Sequence, residues 1–95
     1  MPLVNLAFQV IPATKDVHPY TIVDEAIKVV QQSGVKYVVS PMETTMEGEL
    51  DELLEIVKRA QQACIDAGAE RVMTFMKMEY ARSGVSMDEK LSKYR

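Results

Sequence analysis

The stretch YVVSPMETTMEG, residues 37–48, joins two short runs of strand-forming residues through a Pro-Met pair. Residues 37–40 begin with an aromatic and two β-branched residues, which favours an extended strand, and residues 43–47 alternate back as a partner strand. Gly48 ends the second run. The stretch therefore predicts an antiparallel β-hairpin, and the fold follows from what the flanking segments can pack against it.

The segment before the hairpin predicts one strand and one helix. Residues 3–12 alternate as a strand that should end at Pro12, since proline cannot donate to a ladder. Pro19 suits the first turn of a helix, and Ser33-Gly34 should end it with Gly34 in the left-handed conformation. The expected apolar stripe of this helix consists of Tyr20, Val23, Ala26, Ile27 and Val30.

The segment after the hairpin predicts a helix, a strand and a short tail helix. An apolar stripe with helical spacing runs from Leu50 to Ala67, and Gly68 closes the helix. Residues 70–80 alternate as a fourth strand. Residues 86–89, Ser-Met-Asp-Glu, form a capping box that opens the tail helix.

The order strand, helix, hairpin, helix, strand makes two split β-α-β units with right-handed crossovers. The predicted fold is therefore α+β: a ferredoxin-like βαββαβ sandwich with a four-stranded antiparallel sheet and two helices on one face. Residues 1–95 fit a single domain of this kind, since domains usually contain about 50–250 residues.

The sheet face opposite the helices is expected to carry Leu3, Asn5, Ala7, Gln9 and Ile11. Monomers rarely expose an apolar patch as large as a sheet face, on the order of several hundred Å², so we expect a homo-oligomer built partly on this face. The alternative is that the tail helix folds back over it. The polar pair Asn5 and Gln9 fits a wet interface and a ligand pocket about equally well.

Composition excludes several classes of function. With 47% hydrophobic and 26% charged residues the chain has the make-up of a globular protein, and its net charge of −3 gives no basic field for nucleic acid. Apolar runs are too short to span a bilayer, and the first residues do not form a signal peptide. The cytoplasm is therefore the expected location, and no membrane partner is expected.

The hairpin holds the densest set of polar groups. Glu43, Thr45 and Glu47 should share one face at about 7 Å intervals, with Thr44 on the other face. Two acids around a hydroxyl can bind a neutral or cationic heterocycle, which both donates and accepts hydrogen bonds. A solvated hairpin followed by a helix N-terminus explains the same residues, and residue types alone favour that simpler interpretation.

Other reactive side chains give weaker signals. His18 has no second histidine at metal-ligand spacing, and Cys64 lies on an apolar helix stripe, so we expect no metal site and a buried, inert thiol. Lys77 fits either an ion pair with a hairpin carboxylate or the open surface. The loop after the first strand lacks the arginine of acylphosphatases, and the chain lacks the paired aromatics of RNA-recognition domains and the CxxC of metal carriers.

One pattern carries a family resemblance. The run Tyr37-x-Val39-Ser40-Pro41-Met42-x-Thr44-Thr45-x-Glu47-Gly48-Glu49, with Asp51 and the closing residues 88–95 (DEKLSKYR), resembles the small YkoF-like thiamine-binding proteins. The similarity covers essentially the whole chain, including its length and its order of elements. Many relatives have glycine at the position of Glu43, so the charge at the mouth of the pocket should differ here.

The resemblance implies a homotetramer that binds thiamine or its hydroxymethylpyrimidine portion. Because the sequence shows no nucleophile–base pair and no metal cluster, we expect binding without turnover, as a carrier, buffer or salvage factor. We expect no cofactor. Thr44, Thr45, Glu47 and Gly48 match the family motif, Ser40 and Met42 flank it, and we add Tyr37 as a ring contact and Gln9 for its polarity. A scaffold or regulatory oligomer without a ligand is the alternative function.

Overall fold

The structure is a computed structural model that describes residues 3–94. Its seven elements are β1 (Val4–Ala13), α1 (Pro19–Gln32), β2 (Lys36–Val39), β3 (Thr44–Gly48), α2 (Leu50–Asp66), β4 (Arg71–Tyr80) and α3 (Met87–Leu91). The four strands form one antiparallel sheet in the order β2-β3-β1-β4. This confirms the predicted ferredoxin-like α+β fold with a short C-terminal helix.

The core lies between the sheet and the first two helices. Val4, Leu6, Phe8 and Val10, one face of β1, are buried as predicted, together with Met46 of β3. From the helices, the buried side chains are those of Ile22, Ala26 and Val30 in α1 and of Leu53, Ile56, Val57, Ala60 and Cys64 in α2. Both helices therefore cover the same face of the sheet, and the other face is free of α1 and α2.

Two details of the first half differ from the sequence prediction. β1 does not end at Pro12 but continues to Ala13, with Pro12 opposite Val72 of β4. Since β3 pairs with β1 only as far as Phe8, Pro12 has a strand neighbour on one side alone, and its missing N–H interrupts no second ladder. Tyr20 belongs to the predicted apolar stripe of α1 but is 76% exposed, and Ile22 is buried in its place.

The ends of α1 explain its boundaries. The His18 side chain acts as the N-cap: its Nδ1 accepts a hydrogen bond from the Tyr20 N–H at 3.1 Å. Pro19 is the first helical residue, as expected. Gly34 follows the helix with a φ of 85°, which is the left-handed conformation predicted for it.

The tail folds across one end of the open sheet face. After β4 the chain turns back, the Val85 N–H donates to the Leu3 carbonyl at 3.3 Å, and α3 buries Met87 to 4% exposure. The Ser86 hydroxyl caps α3 by accepting from the Glu89 N–H, as the capping box predicted. The alternative cover of the open face is thus realised in part, because Ile11, Met73 and Phe75 farther along remain exposed. No helix among residues 3–94 is long and apolar enough to cross a membrane.

Candidate ligand-binding site on the open sheet face

The site begins with a row of three residues across the open face of the sheet. Ala7 of β1 lies directly opposite Thr45 of β3 on one side and Lys77 of β4 on the other. Directly opposed residues share a face, so all three side chains project away from the helices. Because the middle residue is an alanine, the row has a depression at its centre.

This depression is part of a cavity of about 510 Å³, here called the sheet-face cavity. Its volume lies within the roughly 300–1,000 Å³ typical of small-molecule sites. The tail helix forms one wall and the β2–β3 hairpin another. The lining residues are Asn5, Ala7, Val38, Ser40, Glu43, Thr45, Lys77, Met78, Glu79, Met87, Lys90 and Leu91.

A hydrogen-bond network at one end of the cavity holds the tail in place. Glu47 Oε1 accepts from the Met87 N–H at 2.7 Å and from Asn5 Nδ2 at 3.2 Å. Asn5 Oδ1 in turn accepts from Lys90 Nζ at 2.7 Å. Asn5 is 6% exposed, so its bonds satisfy a polar side chain that would otherwise be costly to bury. Glu47 therefore acts as an anchor for α3.

Two ion pairs set the charge of the cavity. Lys77 Nζ lies 3.3 Å from Glu43 Oε2, which confirms the pairing that the sequence left open. Lys90 forms an ion pair with Glu79, and Lys36 forms one with Asp88 just outside the lining. The lining thus contains two carboxylates and two ammonium groups, which balance. A charged ligand must exchange partners with one of these pairs.

The turn of the hairpin is closed by its own serine. Ser40 N donates to the Glu43 carbonyl at 3.0 Å, and the Ser40 hydroxyl donates to the same carbonyl at 2.6 Å and accepts from the Glu43 N–H at 3.3 Å. Pro41 occupies the next position, where its fixed φ favours a turn. The turn therefore fixes the place of the Glu43 backbone, from which its side chain reaches Lys77.

The eight residues proposed from the sequence are divided between the two faces of the sheet. Thr45 and Ser40 line the sheet-face cavity, and Glu47 lies beside it on the same face, bonded to the tail. Gln9 is exposed on that face beyond the cavity, opposite Phe75. The sheet brings these four to one face.

The other four lie elsewhere. Thr44, Tyr37 and Gly48 belong to the helix-covered face, and Thr44 is only 6% exposed. A Cβ at Gly48 would come within 3.0 Å of a Leu53 methyl, so packing of α2 accounts for this glycine. Met42 is 76% exposed at the tip of the turn.

A second cavity lies behind the hairpin, between β1, α1 and the turn, and is here called the hairpin groove. Its volume is about 440 Å³, and it contains Gln9, Ser40, Met42 and Thr44 among mostly apolar neighbours. Ser40 and Glu43 take part in both cavities, since they form the rim between them. The hairpin groove therefore gathers four of the eight proposed residues, but with fewer charged groups than the sheet-face cavity.

Most of the additional lining could not be located from sequence. Asn5 and Lys77 gave a signal, because each is a polar residue within a strand. Met87, Lys90 and Leu91 reach the cavity only because the tail folds back, and the capping box alone does not show where its helix docks. Ala7 leaves the centre of the cavity open, because its methyl group is too small to fill it.

Neither a metal-binding group nor a reactive thiol lines the two cavities among the described residues. Among residues 3–94, no group of three or more histidine, cysteine, aspartate or glutamate side chains is placed to hold a metal ion. Burial raises the pKa of the Cys64 thiol above its usual value, and its sulfur faces the Ile22 carbonyl at 3.9 Å in the core, away from both cavities. The thiol is thus kept protonated and enclosed.

Comparison with known proteins places this geometry in a family. Residues 6–95 match the family of proteins described as thiamine-binding proteins. The chain belongs to that family. A UPF0045 protein of Clostridium perfringens is 48% identical over 95 residues, which is the full length of both chains. The family resemblance seen in the hairpin motif is therefore confirmed.

Solved structures of relatives share the fold closely. A DUF77 domain from Bacillus cereus superposes with a TM-score of 0.96 at 58% identity, covering 99% of this chain and 91% of that one. A Thermotoga maritima protein, provisionally assigned to thiamine biosynthesis or salvage, gives a TM-score of 0.90 at 34% identity, covering 99% and 100%. The fold is therefore the one that these relatives share.

Proposed function

We propose that this member of the thiamine-binding family binds thiamine or its hydroxymethylpyrimidine portion in the sheet-face cavity, without turnover. The protein would serve as a carrier, buffer or salvage factor in the cytoplasm. The observation that carries the proposal is the convergence of Thr45, Asn5 and Glu43 around a cavity of about 510 Å³ with an alanine at its centre. The family match supplies the ligand class.

The polar groups match the two halves of thiamine. An aminopyrimidine offers an amino donor and ring-nitrogen acceptors, and the Thr45 hydroxyl can both donate and accept. A thiazolium is a cation, which is stabilised by a carboxylate and is costly to bury without one. Glu43 is 33% exposed at the mouth of the cavity, where it can neutralise such a cation without being fully desolvated.

The structure changes which side chains would contact the rings in this proposal. Glu47 is not part of the lining, and its Oε1 accepts from the Met87 N–H and from Asn5, so its role in this proposal is to fix the tail. Tyr37 lies on the opposite face of the sheet and Met42 at the tip of the turn. Within the sheet-face cavity, apolar contact with the rings falls to Val38, Met87 and Leu91.

Binding without turnover is supported by the state of the ionisable side chains in the lining. Glu43 is paired with Lys77, and Glu79 with Lys90, which also bonds to Asn5. A general base must lie within hydrogen-bond reach of the proton that it removes, and a nucleophile needs such a base beside it. The Thr45 and Ser40 hydroxyls have no histidine beside them in the lining.

We further propose a homo-oligomer, assembled over the part of the open face that the tail leaves uncovered. Ile11, Met73 and Phe75 are 45%, 58% and 55% exposed there, and the registers place all three on that face. Light scattering on the purified protein gives the mass directly. Phe75→Glu should reduce that mass, because burying an unpaired carboxylate at an interface is costly. An unchanged mass would show that this face is not the contact.

Calorimetric titration with thiamine and with hydroxymethylpyrimidine tests the function itself. Saturable heat with at least one of them is the expected result. No heat at millimolar ligand with folded protein would refute the proposal and would leave the alternative of a scaffold or regulatory oligomer. A protein that forms oligomers but binds neither ligand would favour that alternative directly.

A further inference from the structure

We propose that Lys77 competes with the ligand's positive charge for the Glu43 carboxylate, and so sets the preference of the site between cationic thiamine and the neutral pyrimidine. This inference rests on the proposed function and concerns one residue of the same cavity. It follows from the Lys77–Glu43 ion pair in the lining of the sheet-face cavity.

The Lys77–Glu43 ion pair joins two strands that are not neighbours in the sheet, and both residues line the sheet-face cavity. Lys77 is on β4 and Glu43 precedes β3, with β1 between the two strands. Adjacent strands lie about 4.8 Å apart, so roughly 10 Å separate the backbones of β4 and β3, and the Lys77 and Glu43 side chains together bridge that distance above β1. Ala7 lies directly opposite Lys77 in the register, and Lys77 Nζ is 3.3 Å from Glu43 Oε2.

The two lysines of the lining differ in how firmly they are held. Lys90 pairs with Glu79 and also donates to Asn5 Oδ1 at 2.7 Å, a bond to a side chain that is itself buried. Within residues 3–94, Glu43 is the one polar partner of Lys77, whose side chain is 76% exposed. Exposed ion pairs of this kind are weak, so the Lys77 ammonium can separate from Glu43 at little cost.

A cationic ligand and Lys77 therefore need the same carboxylate. A thiazolium placed at Glu43 must displace the ammonium, and its binding free energy is reduced by the strength of the ion pair that it breaks. A neutral pyrimidine that bonds to Thr45 has no charge for which Glu43 must be released. The Lys77–Glu43 pair thus weakens the binding of thiamine selectively.

The test compares two ligands on five proteins by calorimetry at mildly alkaline pH, where hydroxymethylpyrimidine is neutral. Lys77→Gln should tighten thiamine binding about two- to fivefold relative to hydroxymethylpyrimidine, the range expected for loss of an exposed ion pair. In a Glu43→Gln background the same substitution should have no selective effect, because the contested carboxylate is gone. Lys28→Gln breaks a comparable exposed pair with Glu25 on α1 and is the matched control.

The outcomes separate this inference from the function on which it rests. A Lys77→Gln protein that binds both ligands with the same factor of change, or binds thiamine more weakly, would overturn the role of Lys77 and leave thiamine binding intact. Absence of binding of either ligand to the unaltered protein would refute the proposed function, and this inference with it.

Discussion

Removal of the Glu47 carboxylate should release the tail helix from the sheet. Glu47→Ala deletes the acceptor for the Met87 N–H at 2.7 Å and for Asn5 Nδ2 at 3.2 Å. Hydrogen bonds to charged groups contribute about 1.5–3 kcal/mol when buried, and this side chain is half-buried, so we expect a loss of about 2–3 kcal/mol. That loss is comparable to the roughly 1.5–3 kcal/mol from burying a methionine such as Met87.

Amide hydrogen exchange measures this loss locally. A loss of about 2–3 kcal/mol should lower the protection of the α3 amides by about 30- to 150-fold, with little change in the core strand β1. Glu47→Gln keeps an oxygen in the same position and should cost about 1 kcal/mol, since its bonds are neutral ones. Glu55→Ala, an exposed glutamate on α2, is the control for loss of a surface charge.

Two results would refute this reasoning. If Glu47→Ala left the exchange of α3 unchanged, the carboxylate would not be holding the tail. If the glutamine and alanine variants lost the same protection, the negative charge rather than the acceptor geometry would be what matters.

Three further predictions concern the centre of the cavity, the buried thiol and the cap of the tail helix. Ala7→Leu should weaken ligand binding more than about tenfold by filling the centre of the cavity, while the free energy of unfolding changes by less than about 1 kcal/mol. Calorimetry measures the binding and urea denaturation measures the stability. Undiminished binding would place the ligand elsewhere. Cys64 is enclosed and the pKa of its thiol is raised by burial, so a disulfide reagent should modify it only as the protein unfolds in denaturant; rapid modification of the native protein would contradict this burial. Ser86→Ala removes the acceptor for the Glu89 N–H and should cost α3 about 1 kcal/mol of local stability, measured as faster exchange of residues 87–91; equal exchange rates would show that the cap contributes nothing.

The fold could be predicted because its determinants are local. Alternation in β1 placed Val4, Leu6, Phe8 and Val10 on one apolar face, and Gly34 marked the end of α1. The hairpin was readable from strand-forming residues on either side of a Pro-Met turn. The error at Pro12 came from an assumption of partners on both sides, which depends on how far β3 extends.

The candidate site could be predicted only in part, because its walls come from distant parts of the chain. Alternation correctly placed Thr45 and Glu47 on one face and Thr44 on the other. The occupation of Glu47 by the Met87 N–H depends on the path of the tail, which residues 81–86 do not specify through any periodic pattern. A polar residue in an apolar strand, Asn5, was the sequence signal that pointed to this network most directly.

Adjacent threonines allow a direct test of whether the ligand lies in the sheet-face cavity. Thr45 lines that cavity, and Thr44 faces the hairpin groove on the opposite side of the sheet. Replacing either with valine keeps the shape and removes one hydroxyl. The decisive measurement is a thiamine titration of both variants: binding should weaken about two- to tenfold in Thr45→Val and by less than twofold in Thr44→Val. Weakened binding in Thr44→Val with unaltered binding in Thr45→Val would contradict the account and place thiamine in the hairpin groove.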